Sequence, residues 1–338
     1  MRRIKVGIIG YGYWGPNLAR NFFEIPSADL VAIADIKEER LQRVRALYPG
    51  VTVTKTYADL FDLGLDAVVI ATPPILHFPV ARECLEHGLH VLVEKPMTLN
   101  SRHAEELIEG AEARGLTLMV GHTFEYNSAV LALKKYMDGG ELGEIYYLDT
   151  ARLNLGLFQR DSNVLWDLAP HDISILLFLL NRNPLSVSAQ GTPCISDGVF
   201  DVVYLNLVFP GNIRAYTHVS WLDPCKVRRV TVVGSRKMAV YNDVETAQKI
   251  KIYDKGVDAP AYTNGFGEFQ YNYRSGDITI PRIQFTEPLR QECQHFVDCV
   301  ANHARPCSDG RDGLQVVKIL EAAEKSLKNG SAQEMIPW

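Results

Sequence analysis

Residues 4–15, which read IKVGIIGYGYWG, decide the fold of this chain. Their apolar first half has the length of a β-strand and is followed at once by Gly10-x-Gly12-x-x-Gly15. Apolar residues at helical spacing continue from Asn17 to Phe23. In such a strand, turn and helix the first glycine permits the turn, the second lets a pyrophosphate approach the backbone, and the third allows close packing. The stretch predicts a dinucleotide site, with an ordinary glycine turn as the alternative.

A second apolar run, Leu30 to Ala34, ends at Asp35. An acidic residue at this distance from the glycines accepts hydrogen bonds from the adenosine ribose hydroxyls. The alternative, that Asp35 caps a helix over residues 37–47, does not explain the glycines. Because the carboxylate would repel a ribose 2′-phosphate, NAD is expected as the cofactor; the nearby Lys37 keeps NADP as the less favoured alternative.

The composition is that of a globular protein with two domains, since the chain has 338 residues of which 47% are hydrophobic. A net charge of −5 argues against nucleic acid or an anionic membrane as a partner. The N-terminal apolar run is too short for a signal peptide, and no stretch reaches membrane-spanning length, so a cytoplasmic location is expected. The six cysteines show no CxxC spacing, which predicts neither a metal site nor a disulfide framework.

The first 120 residues alternate between strand-like and helix-like segments, which predicts a doubly wound parallel sheet of α/β type. The expected strands are 4–9, 30–34, 51–54, 67–71, 89–93 and 117–120. Ligands bind at the carboxyl ends of such strands. Two of these ends carry polar residues, namely Thr72-Pro73-Pro74 with His77, and Glu94-Lys95-Pro96.

From about residue 122 the pattern changes to an α+β domain with a large open, mainly antiparallel sheet. Its expected strands are 145–155, 186–190, 199–209, 213–221, 227–233 and 238–241, with a helix at 127–137 and a buried helix at 173–180. Residues 255–282 show no period and are expected to form a long loop. The predicted domains are 1–124 and 125–338, with final helices near 288–328 packing back toward the first domain.

Lys95 is the first candidate for chemistry, because it directly follows a buried strand and precedes a proline. Its ammonium should project from the strand end and hydrogen-bond a substrate oxygen. The alternative is a surface lysine paired with Glu94.

The second candidate is the pair Asp167 and His171, four residues apart. If Asp167 caps the buried helix, Pro170 lies in its first turn and His171 one turn in. A neutral imidazole there suits a base that takes the proton of a secondary alcohol. The alternative is a capping Asp167 and a structural histidine; Asp172 is expected at the helix start or in solvent.

Further polar residues are candidates for binding a polyol, a carboxylate or a diphosphate. Arg152 and Asn154 share one face of a strand that runs toward the loop with Arg160 and Asn163. Tyr126 begins the second domain, where it either contacts substrate or packs the hinge.

Taken together, these motifs resemble the Gfo/Idh/MocA family of glucose-fructose oxidoreductases and inositol dehydrogenases. The match includes Gly10-x-Gly12-x-x-Gly15, Ala71-Thr72-Pro73 with His77, Glu94-Lys95-Pro96, Asp167-x-x-x-His171 and the closing Glu287-Pro288-Leu289 helix. The resemblance implies a Rossmann domain followed by a domain whose open sheet makes homo-oligomer contacts, as a dimer or tetramer. It also implies Lys95 between nicotinamide and substrate, His171 as acid/base and Asp167 as its partner. The cofactor residues it implies are Gly10, Gly12, Tyr13, Trp14, Gly15, Asp35, Thr72, Pro73, His77, Glu94 and Lys95.

Within that family, residues 13–18, 152–156 and 166–172 are most similar to the branch found with nucleotide-sugar pathways, including polysaccharide biosynthesis. That branch implies oxidation at C3 of UDP-N-acetylglucosamine or its uronic acid. Inositol, polyol and free-sugar dehydrogenases share the same catalytic set, and one sequence does not separate them. An NAD-dependent sensor without catalysis, or a glycosidase that uses tightly held NAD, are alternatives from other classes.

Overall fold

A computed structural model describes residues 2–156, 158, 162–258 and 271–338. The chain forms two compact units. The first runs to Tyr126 and also includes Thr286–Glu321, and the second consists of Asn127–Phe285 and Ala322–Trp338. The predicted domains were 1–124 and 125–338, with the final helices near 288–328 packing back toward the first; the contacts count Thr286–Glu321 with the first unit.

The first unit is built on a six-stranded parallel sheet, which confirms the predicted α/β class. Its strands follow the order β3-β2-β1-β4-β5-β6 across the sheet. They are β1 (Ile4–Ile9), β2 (Ala28–Ala34), β3 (Thr52–Thr54), β4 (Ala67–Ile70), β5 (His90–Val93) and β6 (Leu118–Val120).

Helices α1 (Gly15–Glu24), α2 (Glu38–Leu47), α3 (His77–Glu86) and α4 (Ser101–Glu112) connect these strands. The central strand β4 is buried at every residue, as parallel strands covered on both faces are. The ring of Phe22 on α1 meets the edge of Phe296 with centroids 6.4 Å apart, so the segment from Thr286 shares the core of this unit.

The second unit holds a nine-stranded sheet with the order β14-β13-β12-β11-β7-β10-β9-β8-β15. The strands are β7 (Ile145–Leu153), β8 (Ser186–Thr192), β9 (Val202–Val208), β10 (Arg214–Ser220), β11 (Val227–Gly234), β12 (Met238–Asn242), β13 (Ile250–Asp258), β14 (Asn272–Thr279) and β15 (Glu334–Met335). Every pair is antiparallel except β7 with β10, which confirms the mainly antiparallel sheet.

Four further helices complete the described residues. They are α5 (Ser128–Asp138), α6 (Val164–Leu180), α7 (Pro288–Asn302) and α8 (Gly310–Lys328). Helix α6 is apolar almost all round and packs on β7, β9 and β10. Among the described residues no helix combines the length and the apolarity needed to cross a membrane.

The predicted loop over residues 255–282 is wrong in its described part. Strand β13 continues to Asp258, and β14 occupies Asn272–Thr279. Strand β14 is exposed along nearly its whole length and is held by its ladder with β13, so no apolar alternation marks it in the sequence. Residues 259–270 lie outside the described residues.

Candidate functional site

The glycine turn after β1 is fixed by close backbone contacts at two of its three glycines. Gly10 has φ +99°, and a Cβ there would lie 2.6 Å from the Ala71 carbonyl oxygen. A Cβ on Gly15 would lie 2.4 Å from the Gly10 carbonyl oxygen. At Gly12 a Cβ would meet only the Arg40 guanidinium, at 3.6 Å. The protein's own packing therefore does not require Gly12, and the space it leaves suits a ligand.

Asp35 follows β2 at the same edge of the sheet and is buried. Its carboxylate accepts hydrogen bonds from the backbone N–H of Tyr11 at 2.7 Å and of Lys37 at 2.8 Å. It also accepts one from the Arg40 guanidinium at 3.0 Å. Arg40 is a cation beside both Gly12 and Asp35 that the sequence reasoning missed, since nothing in its spacing sets it apart from the other arginines of α2.

The loops after β4 and β5 are joined by His77. This buried side chain places Nδ1 2.8 Å from the Pro96 carbonyl oxygen and Nε2 2.9 Å from that of Thr72. Burial lowers the pKa of His77. The structure thus gives His77 a role in holding two loops together. The Thr72 hydroxyl oxygen is buried and has no hydrogen-bond partner among the described residues, so it is left for a ligand.

Glu94 and Lys95 follow β5 directly and are partly buried. The Glu94 carboxylate accepts the backbone N–H of Lys95 at 3.3 Å. It packs so closely on Gly121 that a Cβ there would lie 2.9 Å from Glu94 Oε2. Burial raises the pKa of Glu94 to about 7, against the opposing effects of the charges on Lys95 and His122.

These residues meet at one edge because β2, β1, β4 and β5 are neighbours in the sheet and all run parallel. Asp35, the glycine turn, Thr72 and Glu94-Lys95 each come just after a carboxyl end of one of them. The edge offers open space at Gly12, a buried hydroxyl without a partner and a fixed carboxylate. This donor set fits a dinucleotide.

In the second unit, α6 begins differently from the prediction. Its N-cap is Asn163, whose side chain accepts the backbone N–H of Trp166 at 3.2 Å. Asp167 lies in the first turn, and Pro170 lies inside the helix. The prediction that Asp167 caps this helix is therefore wrong, and His171 lies about two turns in. The physical reason is that Asn163 already supplies the capping oxygen, so the helix starts nine residues before the expected 173.

Asp167 and His171 nevertheless lie one turn apart on α6, as their spacing requires. Asp167 Oδ2 accepts a hydrogen bond from Trp221 Nε1 at 2.9 Å. Trp221, 1% exposed, follows β10 and was missed by the sequence reasoning, because a tryptophan at a strand end reads as core. This hydrogen bond thus holds the Asp167 carboxylate in one position, one helical turn before His171.

Arg152 is committed to a structural ion pair. Its Nε lies 2.6 Å from Asp172 Oδ2, and both side chains are buried. The expectation that Asp172 belongs to the helix start or to solvent is wrong, because α6 begins eight residues earlier, at Val164, and turns Asp172 toward β7. Burial raises the pKa of Asp172, and the Arg152 charge opposes that rise.

Other predicted substrate residues have internal partners or are not described. The Tyr126 hydroxyl is buried and lies 2.9 Å from Ser308 Oγ. Asn163 is the helix cap, and the backbone N–H of Asn154 donates to the Ser220 carbonyl oxygen at 3.2 Å. Arg160 lies outside the described residues.

The sequence reasoning also missed a cluster of three titratable side chains close to the end of β6. His122, Glu125 and Asp312 place their nitrogen and oxygen atoms within 4.8 Å of one another. The sequence separates Asp312 from His122 by 190 residues, so no spacing rule could have joined them.

Two family models match the chain. Residues 4–122 match the oxidoreductase family with an NAD-binding Rossmann fold, and residues 130–240 match the GFO/IDH/MocA C-terminal domain. The chain belongs to the Gfo/Idh/MocA family. It is an oxidoreductase with an NAD-binding Rossmann domain, and the predicted resemblance is confirmed.

Several relatives match this chain almost end to end. The UDP-N-acetylglucosamine 3-dehydrogenase of Acidithiobacillus ferrooxidans is 26% identical over 94% of this chain and 95% of that protein. The scyllo-inositol 2-dehydrogenase (NAD+) of Bacillus subtilis is also 26% identical, over 97% of this chain and 95% of that protein. The solved structure of UDP-N-acetylglucosamine 3-dehydrogenase GnnA from A. ferrooxidans superposes with a TM-score of 0.77 at 25% identity, covering 97% of this chain and 100% of that one.

Proposed function

We propose that this chain oxidises a ring secondary alcohol of a sugar with NAD, at C3 of a UDP-N-acetylhexosamine. The observation that carries the proposal is the pair on α6, where Trp221 fixes the Asp167 carboxylate one turn from His171. A carboxylate fixed in this way can orient an imidazole, which is the arrangement that a general base needs.

In this reaction His171 takes the proton of the substrate hydroxyl at an imidazole nitrogen. Lys95 donates a hydrogen bond to the substrate oxygen and stabilises the negative charge that develops there. Asp167 holds the imidazole and stabilises its charged form. NAD, when bound, accepts the hydride that leaves the carbon.

The cofactor residues of the proposal lie at the carboxyl edge of the first sheet. Gly12 leaves room for the pyrophosphate, Asp35 receives the ribose hydroxyls, and the Thr72 hydroxyl offers a free hydrogen bond. Tyr13, Trp14, Pro73, His77 and Glu94 complete this set, with His77 acting through the loops it joins.

The substrate residues of the proposal are Lys95, Asp167 and His171, joined by Asn154 and Arg160, whereas the buried hydroxyl of Tyr126 is paired with Ser308. Arg152 and Asn163 act through α6, since one is paired with Asp172 and the other caps the helix.

An inositol or polyol is the second candidate substrate. The chain is 26% identical to both the UDP-sugar dehydrogenase and the scyllo-inositol dehydrogenase, so identity does not separate them. If the substrate is a UDP-sugar, the proposal includes a cytoplasmic location and a role in polysaccharide biosynthesis.

A homo-oligomer through the second sheet is part of the same proposal. Tyr147, Tyr204 and Tyr216 on β7, β9 and β10 are all at least 40% exposed. An aromatic face of this kind favours a self-associating surface.

The decisive test follows absorbance at the nicotinamide band for the purified protein with NAD and a panel of UDP-sugars, free hexoses and inositols. Reduction of NAD with UDP-N-acetylhexosamines alone supports the proposal. Reduction with inositols or free sugars keeps the reaction but replaces the substrate. NAD binding without any reduction overturns the enzymatic proposal in favour of a sensor.

A further inference from the structure

A line of charged groups runs through the first unit behind Lys95. At its outer end the His122 side chain, which is 1% exposed, lies beside two carboxyl groups. His122 Nδ1 is 2.6 Å from Asp312 Oδ2 on α8 and 3.4 Å from Glu125 Oε1. Asp312 retains 17% of its side-chain exposure and is the member nearest solvent. A charge-assisted hydrogen bond this short fixes both partners.

The line reaches Glu94 through the residue that precedes His122. Gly121 donates its backbone N–H to the Val93 carbonyl oxygen at 2.8 Å, which holds the two strand ends together. A Cβ at Gly121 would lie 2.9 Å from Glu94 Oε2, so any larger residue would displace that carboxylate. The positive charge of His122 lowers the pKa of Glu94 and so favours the ionised carboxylate.

Acidic and basic groups alternate along this line. Burial lowers the pKa of His122, but hydrogen bonds to Asp312 and Glu125 raise it to about 10, so the imidazole is charged at neutral pH. The charged imidazole and Lys95 both favour ionised Glu94. From Asp312 inward the line thus holds a carboxyl group, an imidazole, a second carboxyl group and an ammonium.

Five other titratable groups among the described residues face this line, and burial favours the uncharged form of each. Burial raises the pKa of each of them, and that rise disfavours their charged forms. They are Glu125, Glu292, Cys293, Tyr126 and Cys307. Glu292 on α7 accepts a hydrogen bond from Thr123 Oγ1 at 2.8 Å, and the Glu94 charge adds to burial in raising the pKa of Glu292.

We propose that the Asp312–His122 pair positions Glu94 and Lys95 electrostatically: it holds Glu94 ionised beside the Lys95 ammonium, and so sets the lower pH limit of the site. The inference rests on the proposed function, in which Lys95 contacts the substrate oxygen. Asp312 and His122 are positioning residues, because they act on that oxygen only through Glu94.

A metal ion is the competing occupant of the His122, Glu125 and Asp312 cluster. Two ligands on one tetrahedral metal, each about 2.0–2.2 Å from it, are separated by about 3.3 Å. The 2.6 Å between His122 Nδ1 and Asp312 Oδ2 is shorter than that, and it suits a shared proton.

The test measures two pH profiles for the full chain, NAD reduction with the active sugar and NADH affinity by fluorescence. The variants are Asp312→Asn and His122→Gln, either of which removes the charge on His122, and Asp312→Glu, which keeps it. The matched control is Glu112→Gln, which removes a carboxylate that pairs with Arg311 on the surface.

We expect the acid midpoint of both profiles to rise by about one pH unit in Asp312→Asn and His122→Gln, since a lost opposite charge nearby shifts a pKa by that order. Asp312→Glu should restore the midpoint, and Glu112→Gln should leave it unchanged. Midpoints that stay in place in both charge-removing variants overturn the inference, as does one bound metal ion per chain that Asp312→Asn removes. NADH affinity can be measured without turnover. If its midpoint shifts as expected but no sugar is oxidised, the proposed function is refuted and the electrostatic inference stands.

Discussion

At the scale of single residues, the side chains proposed to act on the substrate were easier to predict than the residues that hold functional side chains in place. Lys95, Asp167 and His171 could be selected from spacing and strand ends. The supporting residues could not, because folding brings Trp221 to Asp167, Arg40 to Asp35 and Asp312 to His122. Arg152 shows the same limit in reverse: its residue type suited a substrate anion, but folding pairs it with a buried carboxylate.

His171 is the residue on which the proposed chemistry depends most. Replacing it by asparagine keeps a polar group on α6 but removes the base. We expect turnover to fall at least about 100-fold with NADH affinity unchanged, because general-base catalysis contributes that much. Steady-state kinetics and NADH fluorescence measure the two quantities. Near-normal turnover in a folded His171→Asn protein contradicts the assignment.

We expect Asp35 and Arg40 together to decide the choice between NAD and NADP. In Asp35→Ser the ribose loses its acceptor and the Arg40 guanidinium loses its partner, so it becomes available to a 2′-phosphate. We expect NAD affinity to fall by about tenfold, the cost of a hydrogen bond to a charged group, while NADP affinity rises. Titrations with both reduced cofactors measure the ratio. Arg40→Ala in the same background should abolish the gain for NADP; if the gain persists, Arg40 is not its source.

At the scale of elements, the glycine turn provides a matched pair of substitutions. A Cβ at Gly15 meets a backbone carbonyl at 2.4 Å, whereas a Cβ at Gly12 meets only a flexible guanidinium at 3.6 Å. We expect Gly15→Ala to lower the free energy of unfolding by about 1–3 kcal/mol, as overpacking does. Gly12→Ala should leave stability within about 0.5 kcal/mol and weaken NAD binding.

Urea unfolding and NADH fluorescence distinguish these two effects. Equal losses of stability in both variants would show that the turn, and not the ligand, requires Gly12.

The helices and strands also show which secondary structure can be predicted from a sequence pattern and which cannot. The parallel strands were found because burial on both faces makes them apolar throughout, as in Val68 and Val69. Strand β14 was missed because its residues are exposed and its stability comes from backbone hydrogen bonds. The start of α6 was misplaced because Asn163 and Asp167 are both good capping residues, and only the fold decides between them.

At the scale of the whole molecule, the buried ionisable groups make stability depend on pH. The pKa of His122 is raised from 6.5 to about 10, and those of Glu94 and Glu125 are raised by burial. The native state therefore binds more protons than the unfolded state, and stability must fall as pH rises through this range. His122 contributes fully below pH 6.5, and its contribution is lost toward pH 10.

We accordingly expect the urea midpoint to decrease between pH 7 and pH 10, and to decrease less steeply in His122→Gln. Unfolding followed at several pH values measures both slopes. A variant slope as steep as that of the parent protein would show that His122 is not charged in the native state.

The parallel pairing of β7 with β10 has a consequence for how the chain is made. Strand β7 borders only β10 and β11, both of which follow it in the chain. The hydrogen bond between Thr150 and Thr217, for example, cannot form until another 67 residues have been synthesised. At about 5–20 residues per second, the ribosome leaves β7 without a neighbour for several seconds. During that interval its apolar residues and open backbone edge are exposed to other nascent chains, so chaperone binding should concentrate on ribosomes that have passed Leu153 but not yet Ser220.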